Sequence, residues 1–175
     1  MNTDLSRMYR VAAATALLLA VSGTVKADVH VAADSDIAAG RYLVVVSGCN
    51  DCHTAGYLAT EGQVPESEWL KGSPVGWRGD WGTTYSSNLR LLAGTISEDG
   101  WVQMLRSLKT RPPMPWMNIR NLSEPDARAM YRYIRSLGDP GERMPAAIDA
   151  VTEPVTPYIV LVPQHMERLA QATSP

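Results

Sequence analysis

The chain has 175 residues, 45% of them hydrophobic, a formal net charge of −2 and only two cysteines. That length suits one ordinary domain, and that hydrophobic fraction excludes a disordered chain. The acidic excess excludes the basic surface a nucleic-acid binder needs, and two neighbouring cysteines exclude a disulfide-stapled scaffold.

Residues 1–27 read as a secretory signal peptide. Arg7 and Arg10 make a basic start, residues 11–21 are apolar, and Val25-Lys26-Ala27 is a small-residue exit. The rival reading is a retained anchor, but the apolar run falls well short of the ~20 residues a spanning helix needs. Cleavage after Ala27 removes three basic residues and one acidic residue and takes the net charge from −2 to −4. The mature protein is then expected in the periplasm, with no transmembrane segment.

The spacing predicts a first helix over 34–47, with Asp36 at its start and Ile37, Gly40, Tyr42, Leu43 and Val44 near helical period. Residues 56–96 show no sustained period and are punctuated by Gly62, Pro65, Gly72, Pro74, Gly76, Gly79 and Gly82, so they read as a long loop. A loop this long in a small domain is unusual unless it is functional or wraps a ligand. Trp69, Trp77 and Trp81 in it have something large and flat to cover. A second helix is predicted over 97–109, where Trp101, Met104, Leu105 and Leu108 form one apolar face and Pro112-Pro113 ends the pattern. A third runs over 123–137. Ser123 and Asp126 resemble a capping box, Ala127, Met130, Tyr131, Ile134 and Leu137 trace a stripe, and Gly138 and Pro140 stop it. Residues 139–175 are a Pro-rich extended tail whose one apolar stretch, 158–162, lies against the domain or a partner. The organisation expected is a signal peptide over 1–27, a helical domain over 28–138 and the tail.

The chemistry is concentrated in Cys49-Asn50-Asp51-Cys52-His53. This is C-x-x-C-H, the attachment pattern for haem c. Two thiols one helical turn apart can each form a thioether with one haem vinyl group, and the next residue offers its imidazole to the iron. A thioredoxin-like pair would sit in a strand–helix alternation, which is not evident here. A zinc site wants four ligands, and His30 and His165 do not complete one. A plain disulfide is open on spacing alone but leaves His53 unexplained.

The sixth iron position decides between closed and reactive chemistry. Met114 lies in Arg111-Pro112-Pro113-Met114-Pro115-Trp116, where prolines fix the backbone and remove competing donors. Met117 is the close alternative. Met104 and Met130 sit on helix stripes, where packing is the expected role. His30 and His165 are expected in solvent.

The order helix, C-x-x-C-H, long loop, helix, Pro-Met-Pro and final helix resembles class I cytochrome c. It is similar especially to the single-haem domains that accompany bacterial periplasmic alcohol and related dehydrogenases. The resemblance rests on Gly40-Arg41-Tyr42-Leu43, Cys49 to Thr54, Gly82-Thr83-Thr84-Tyr85-Ser86-Ser87-Asn88-Leu89, Pro112 to Trp116 and Met130-Tyr131-Arg132-Tyr133-Ile134-Arg135-Ser136-Leu137, and it covers about residues 36–138. The loop at 91–95 is shorter than that pattern, and the tail is longer. The resemblance implies an all-α fold, with three main helices around one covalent haem. It implies His53 and Met114 as axial ligands and a close crossing of Gly40 with Tyr131. It places Tyr85 and Asn88 beside the haem, with Trp81 and Arg78 as further neighbours. The function it implies is one-electron transfer between a dehydrogenase, or other donor, and the respiratory chain, with no substrate transformed. Redox proteins are then the partners, and a stable place in a dehydrogenase complex is a variant of that reading. A haem enzyme or gas sensor with an open sixth position is the alternative. Arg106, Lys109, Arg111 and Arg120 bracket Met114 with no acidic residue between Asp99 and Glu124. They suggest a positive rim that steers an acidic partner.

Overall fold

The structure is a computed structural model, and it describes residues 29–138 and 141–168. The expected signal peptide lies outside those residues.

Ser35 opens the first helix, α1 (Asp36–Val46), by accepting a hydrogen bond from the Ala38 N–H. The cap is therefore Ser35, and Asp36 adds only a favourable charge to the first turn. The helix buries Ala39, Gly40, Leu43 and Val44. Gly48, with φ +67°, turns the chain directly into the short α2 (Cys49–His53). A single 3₁₀ turn, Glu66–Glu68, precedes two strands, β1 (Ser73–Gly79) and β2 (Gly82–Ser86). Four helices come next: α3 (Leu89–Thr95), α4 (Glu98–Ser107), α5 (Trp116–Ile119) and α6 (Glu124–Ser136). Strand β3 (Tyr158–Val160) comes last.

The expected all-α fold is wrong. Among the described residues there are six helices and a three-stranded mixed sheet of order β2-β1-β3. The error lies in 56–96, which holds β1, β2 and α3 instead of an unbroken loop. Trp77, Thr83, Thr84 and Tyr85 are strand formers. Gly79 pairs with Gly82 across Asp80 and Trp81, a two-residue hairpin turn. Of the glycines that read as loop punctuation, Gly72, Gly76 and Gly82 are there for close approach. A Cβ on Gly76 would lie 2.5 Å from Thr83 Cγ2 and 3.2 Å from Tyr158 Cβ. The tail supplies the third strand, with Gly76, Trp77 and Arg78 parallel to Tyr158, Ile159 and Val160.

The core lies where α1, α4 and α6 meet. It contains Leu43, Val44, Trp101, Val102, Leu105, Ala127, Met130 and Ile134. The close crossing of α1 and α6 also corrects an expectation. A Cβ on Gly40 would meet the Ala129 carbonyl oxygen at 2.0 Å and Tyr133 Cβ at 2.7 Å, so Gly40 crosses Tyr133 and not Tyr131. Residues 129 and 133 share a helix face, and Tyr131 points elsewhere. Its hydroxyl donates to the Ile96 carbonyl and its ring packs on Trp101. Ser123 caps α6 through the Asp126 N–H, as the sequence suggests. The Asp126 carboxylate, however, accepts from the Val31 N–H and ties the N-terminal segment to α6.

Arg90 joins the sheet side to the helices. Its buried guanidinium donates to the carbonyls of Trp69, Leu137 and Glu66.

Candidate functional site

Helix α2 sets Cys49 and Cys52 one turn apart, with His53 next. Hydrogen bonds lock this turn to the backbone at Leu70 and Gly72. Thr54 Oγ1 donates to Asn50 Oδ1 and accepts from the Leu70 N–H, while the His53 carbonyl accepts from the Gly72 N–H at 2.7 Å.

His53 is 7% exposed, and its Nδ1 lies 2.7 Å from the Ser87 carbonyl oxygen. A carbonyl can only accept, so Nδ1 carries the proton and Nε2 keeps its lone pair. Burial holds the imidazole below its ordinary pKa, against the smaller opposing effect of the Ser87 bond. The ring is thus neutral, in a fixed tautomer, with a free nitrogen donor, which is the state a metal-ligating histidine needs.

Both thiols are free of a disulfide. Burial, and then the Asp51 carboxylate, push Cys49 up to about 12 and raise Cys52 as well. A dithiol oxidoreductase needs the opposite, a thiol lowered into the neutral range. The pair also follows a helix and not a strand, so the thioredoxin-like alternative loses its support. Among the described residues no group of three or more His, Cys, Asp or Glu side chains is placed to hold a metal ion, so the zinc alternative finds no ligand set there.

Cys49, Cys52 and His53 line one cavity of about 220 Å³. Its wall is mostly apolar. Trp101, Met104 and Leu105 come from α4, Met130 and Ile134 from α6, Trp77 from β1, and Thr84 and Tyr85 from β2. Met114 is half-buried on the same wall, between Pro113 and Pro115. Met117 is 52% exposed and is not on it. Of the two methionines weighed for the sixth position, the fold brings only Met114 to His53's cavity. Met104 and Met130 pack in or against the core, as expected, and also face this space. His30 and His165 are both exposed, and His165 pairs with Glu167.

The remaining expected neighbours divide. Tyr85 is on the cavity wall, and its hydroxyl accepts from Thr156 Oγ1. Asn88 is not on it: Oδ1 caps α3 at the Leu91 N–H and Nδ2 donates to the Glu142 carbonyl. Arg78 donates to the carbonyls of Ala150 and Thr152 in the tail. Trp81 also lies off the wall, with its rings against Gly79. Of the three tryptophans expected to cover something large and flat, Trp77 is on the cavity wall and Trp69 and Trp81 are not. Thr84 is a cavity residue that the sequence alone did not single out; its signal was the strand pattern hidden behind the glycines.

The basic rim is partly spoken for. Arg106 pairs with Glu124 at 2.8 Å, Arg120 donates to the Arg106 carbonyl and lies over the Trp116 ring, and Arg111 donates to the Ile148 carbonyl. Lys109 is exposed.

The donor set fits a covalently held haem. Two thiols at one-turn spacing, a neutral imidazole with a free Nε2 and a thioether lie on one mostly apolar cavity. Comparison of the chain with protein-family models, curated proteins and solved structures finds no match.

Proposed function

We propose that this chain is an exported c-type cytochrome, a one-electron carrier that passes electrons from a dehydrogenase or similar donor toward a respiratory chain. The observation that carries the reading is the convergence of Cys49, Cys52, His53 and Met114 on one apolar cavity.

In this reading Cys49 and Cys52 would hold the haem through thioethers, and His53 and Met114 would supply the protein's ligands to its iron. Bound haem iron supplies a one-electron ferric–ferrous couple. The chain's own residues do the rest. The Ser87 carbonyl fixes the His53 ring, so the ligand does not reorient. Trp101, Leu105, Met130 and Ile134 exclude water from the inner wall and lower the local polarity, which raises the potential of the couple. A Met114 thioether bound to the iron would close the site to small ligands. The close-packed crossing of α1 and α6 keeps structural change between the two states small.

The test is attachment. Protein made in a host that matures c-type cytochromes should keep its haem colour through denaturing electrophoresis, and Cys49→Ala/Cys52→Ala should lose it. A wild-type protein that stays colourless, or that yields its haem to acid–acetone extraction, overturns the reading.

A further inference from the structure

The segment that carries Met114 has little to hold it in place by itself. Residues 108–115 are not helical, Lys109, Thr110, Arg111, Pro112 and Pro113 are exposed, and the prolines at 112, 113 and 115 cannot donate backbone hydrogen bonds. Two side chains fasten it. Thr84 Oγ1, on β2, donates to the Pro112 carbonyl at 2.8 Å. Arg111 Nη1 donates to the Ile148 carbonyl at 3.1 Å.

Ile148 belongs to the C-terminal segment, and that segment is anchored independently of the Met114 loop. Its N–H and carbonyl exchange hydrogen bonds with Thr83 at 3.0 and 3.1 Å. The same carbonyl oxygen therefore serves Thr83 and Arg111 together. Gly82 is what lets the segment approach: a Cβ there would lie 2.2 Å from that oxygen. On one side Asn88 Nδ2 holds the Glu142 carbonyl. On the other, Arg78 holds the carbonyls of Ala150 and Thr152, and β3 joins the sheet. The segment is a strap pinned to the sheet, and the Met114 loop is tied to it through Arg111.

We infer that Arg111 is a positioning residue. Through the Ile148 carbonyl, the C-terminal strap holds Met114 on the cavity wall and sets how firmly the sixth iron position is closed. The inference rests on the haem reading above. It gives the tail a task in ligand exchange, and it gives Arg111 an intramolecular role in place of one in partner steering.

The experiment uses the full-length haem-loaded protein as wild type, Arg111→Ala, Arg111→Lys and Thr84→Val. Two quantities are read: the rate of carbon monoxide binding to the reduced protein, and the red-edge sulfur-to-iron charge-transfer band of the oxidised protein. Arg111→Ala should bind carbon monoxide about five- to tenfold faster, the factor expected for one lost hydrogen bond of ordinary net strength at an exposed site, and its band should weaken. Thr84→Val should change in the same direction, because it removes the second fastening of the loop, at the neighbouring Pro112 carbonyl. Arg111→Lys, which keeps a cationic donor, should recover most of the wild-type behaviour. A wild type with the band and an Arg111→Ala that binds at the wild-type rate overturns this inference alone. Equal behaviour of the Ala and Lys variants also overturns it. A wild type without the band brings down Met114 ligation, and this inference falls with it.

Discussion

Gly40 lies against Tyr133 so closely that the two helices leave no room for a methyl group. The would-be Cβ stands 2.0 Å from the Ala129 carbonyl oxygen and 2.7 Å from Tyr133 Cβ. A backbone carbonyl cannot swing aside as a flexible side chain would. Gly40→Ala should therefore force α1 and α6 apart and cost about 3 kcal/mol, the upper part of the overpacking range. Equilibrium denaturation in urea measures this, and an unchanged midpoint would mean that the crossing is looser than described.

Arg90 is buried and spends its fork on three backbone carbonyls, those of Trp69, Leu137 and Glu66. Arg90→Met keeps the packing and abandons those acceptors, so a loss on the order of 3 kcal/mol is expected. Arg90→Lys should rescue little, because an ammonium lacks the planar fork. Thermal unfolding of the two variants side by side decides whether the fork or the charge matters.

Glu66 receives hydrogen bonds from Tyr133 at 2.6 Å and from Arg41 at 3.1 Å. Desolvation alone would raise its carboxyl, and these bonds outweigh it and hold it below the ordinary 4.5. The folded state thus prefers the ionised form. Its stabilising contribution is complete above pH 4.5 and is lost as pH falls from there through the lower folded-state value. Glu66→Gln should flatten that part of the acid-unfolding profile and leave its slope near neutrality unchanged. A variant whose acid limb matches wild type would remove Glu66 from the account.

Met114 and Met117 are three residues apart and differ in surroundings. On the proposed haem reading, Met114→Ala should abolish the charge-transfer band and open the iron to carbon monoxide. Met117→Ala should do neither, because that side chain is on the surface. Visible spectra of the two variants check the pair, and a reversal would move the sixth ligand to Met117.

Local signals in the sequence carried some elements and failed on others for identifiable reasons. Ser123 and the spacing of Ala127, Met130 and Ile134 are contained within a few turns, so α6 was legible to within a residue or so. The proline-flanked Met114 does lie on the cavity wall and Met117 does not, so the placement the prolines suggested is the one the fold adopts. The sheet was not. Gly76 pairs with Tyr158 from the far end of the chain, and no local pattern announces such a pairing. Glycines placed for close packing looked like turn residues until the chains they face were known. Tyr131 and Tyr133 could not be told apart as the partner of Gly40, since that depends on how two helices cross. Asn88 went astray for a similar reason. A short polar residue before an apolar run is an N-cap first, and its remaining amide reached a tail segment whose path the sequence did not show.

The parallel strand at the end of the chain also fixes an order of events during biosynthesis. Until residues 158–160 have been made, the sheet is a bare hairpin, and β3 is not there to pin the strap that receives Arg111. Helices α1, α4 and α6 are complete well before that point. The inner wall of the cavity can thus assemble while its outer fastening is still missing.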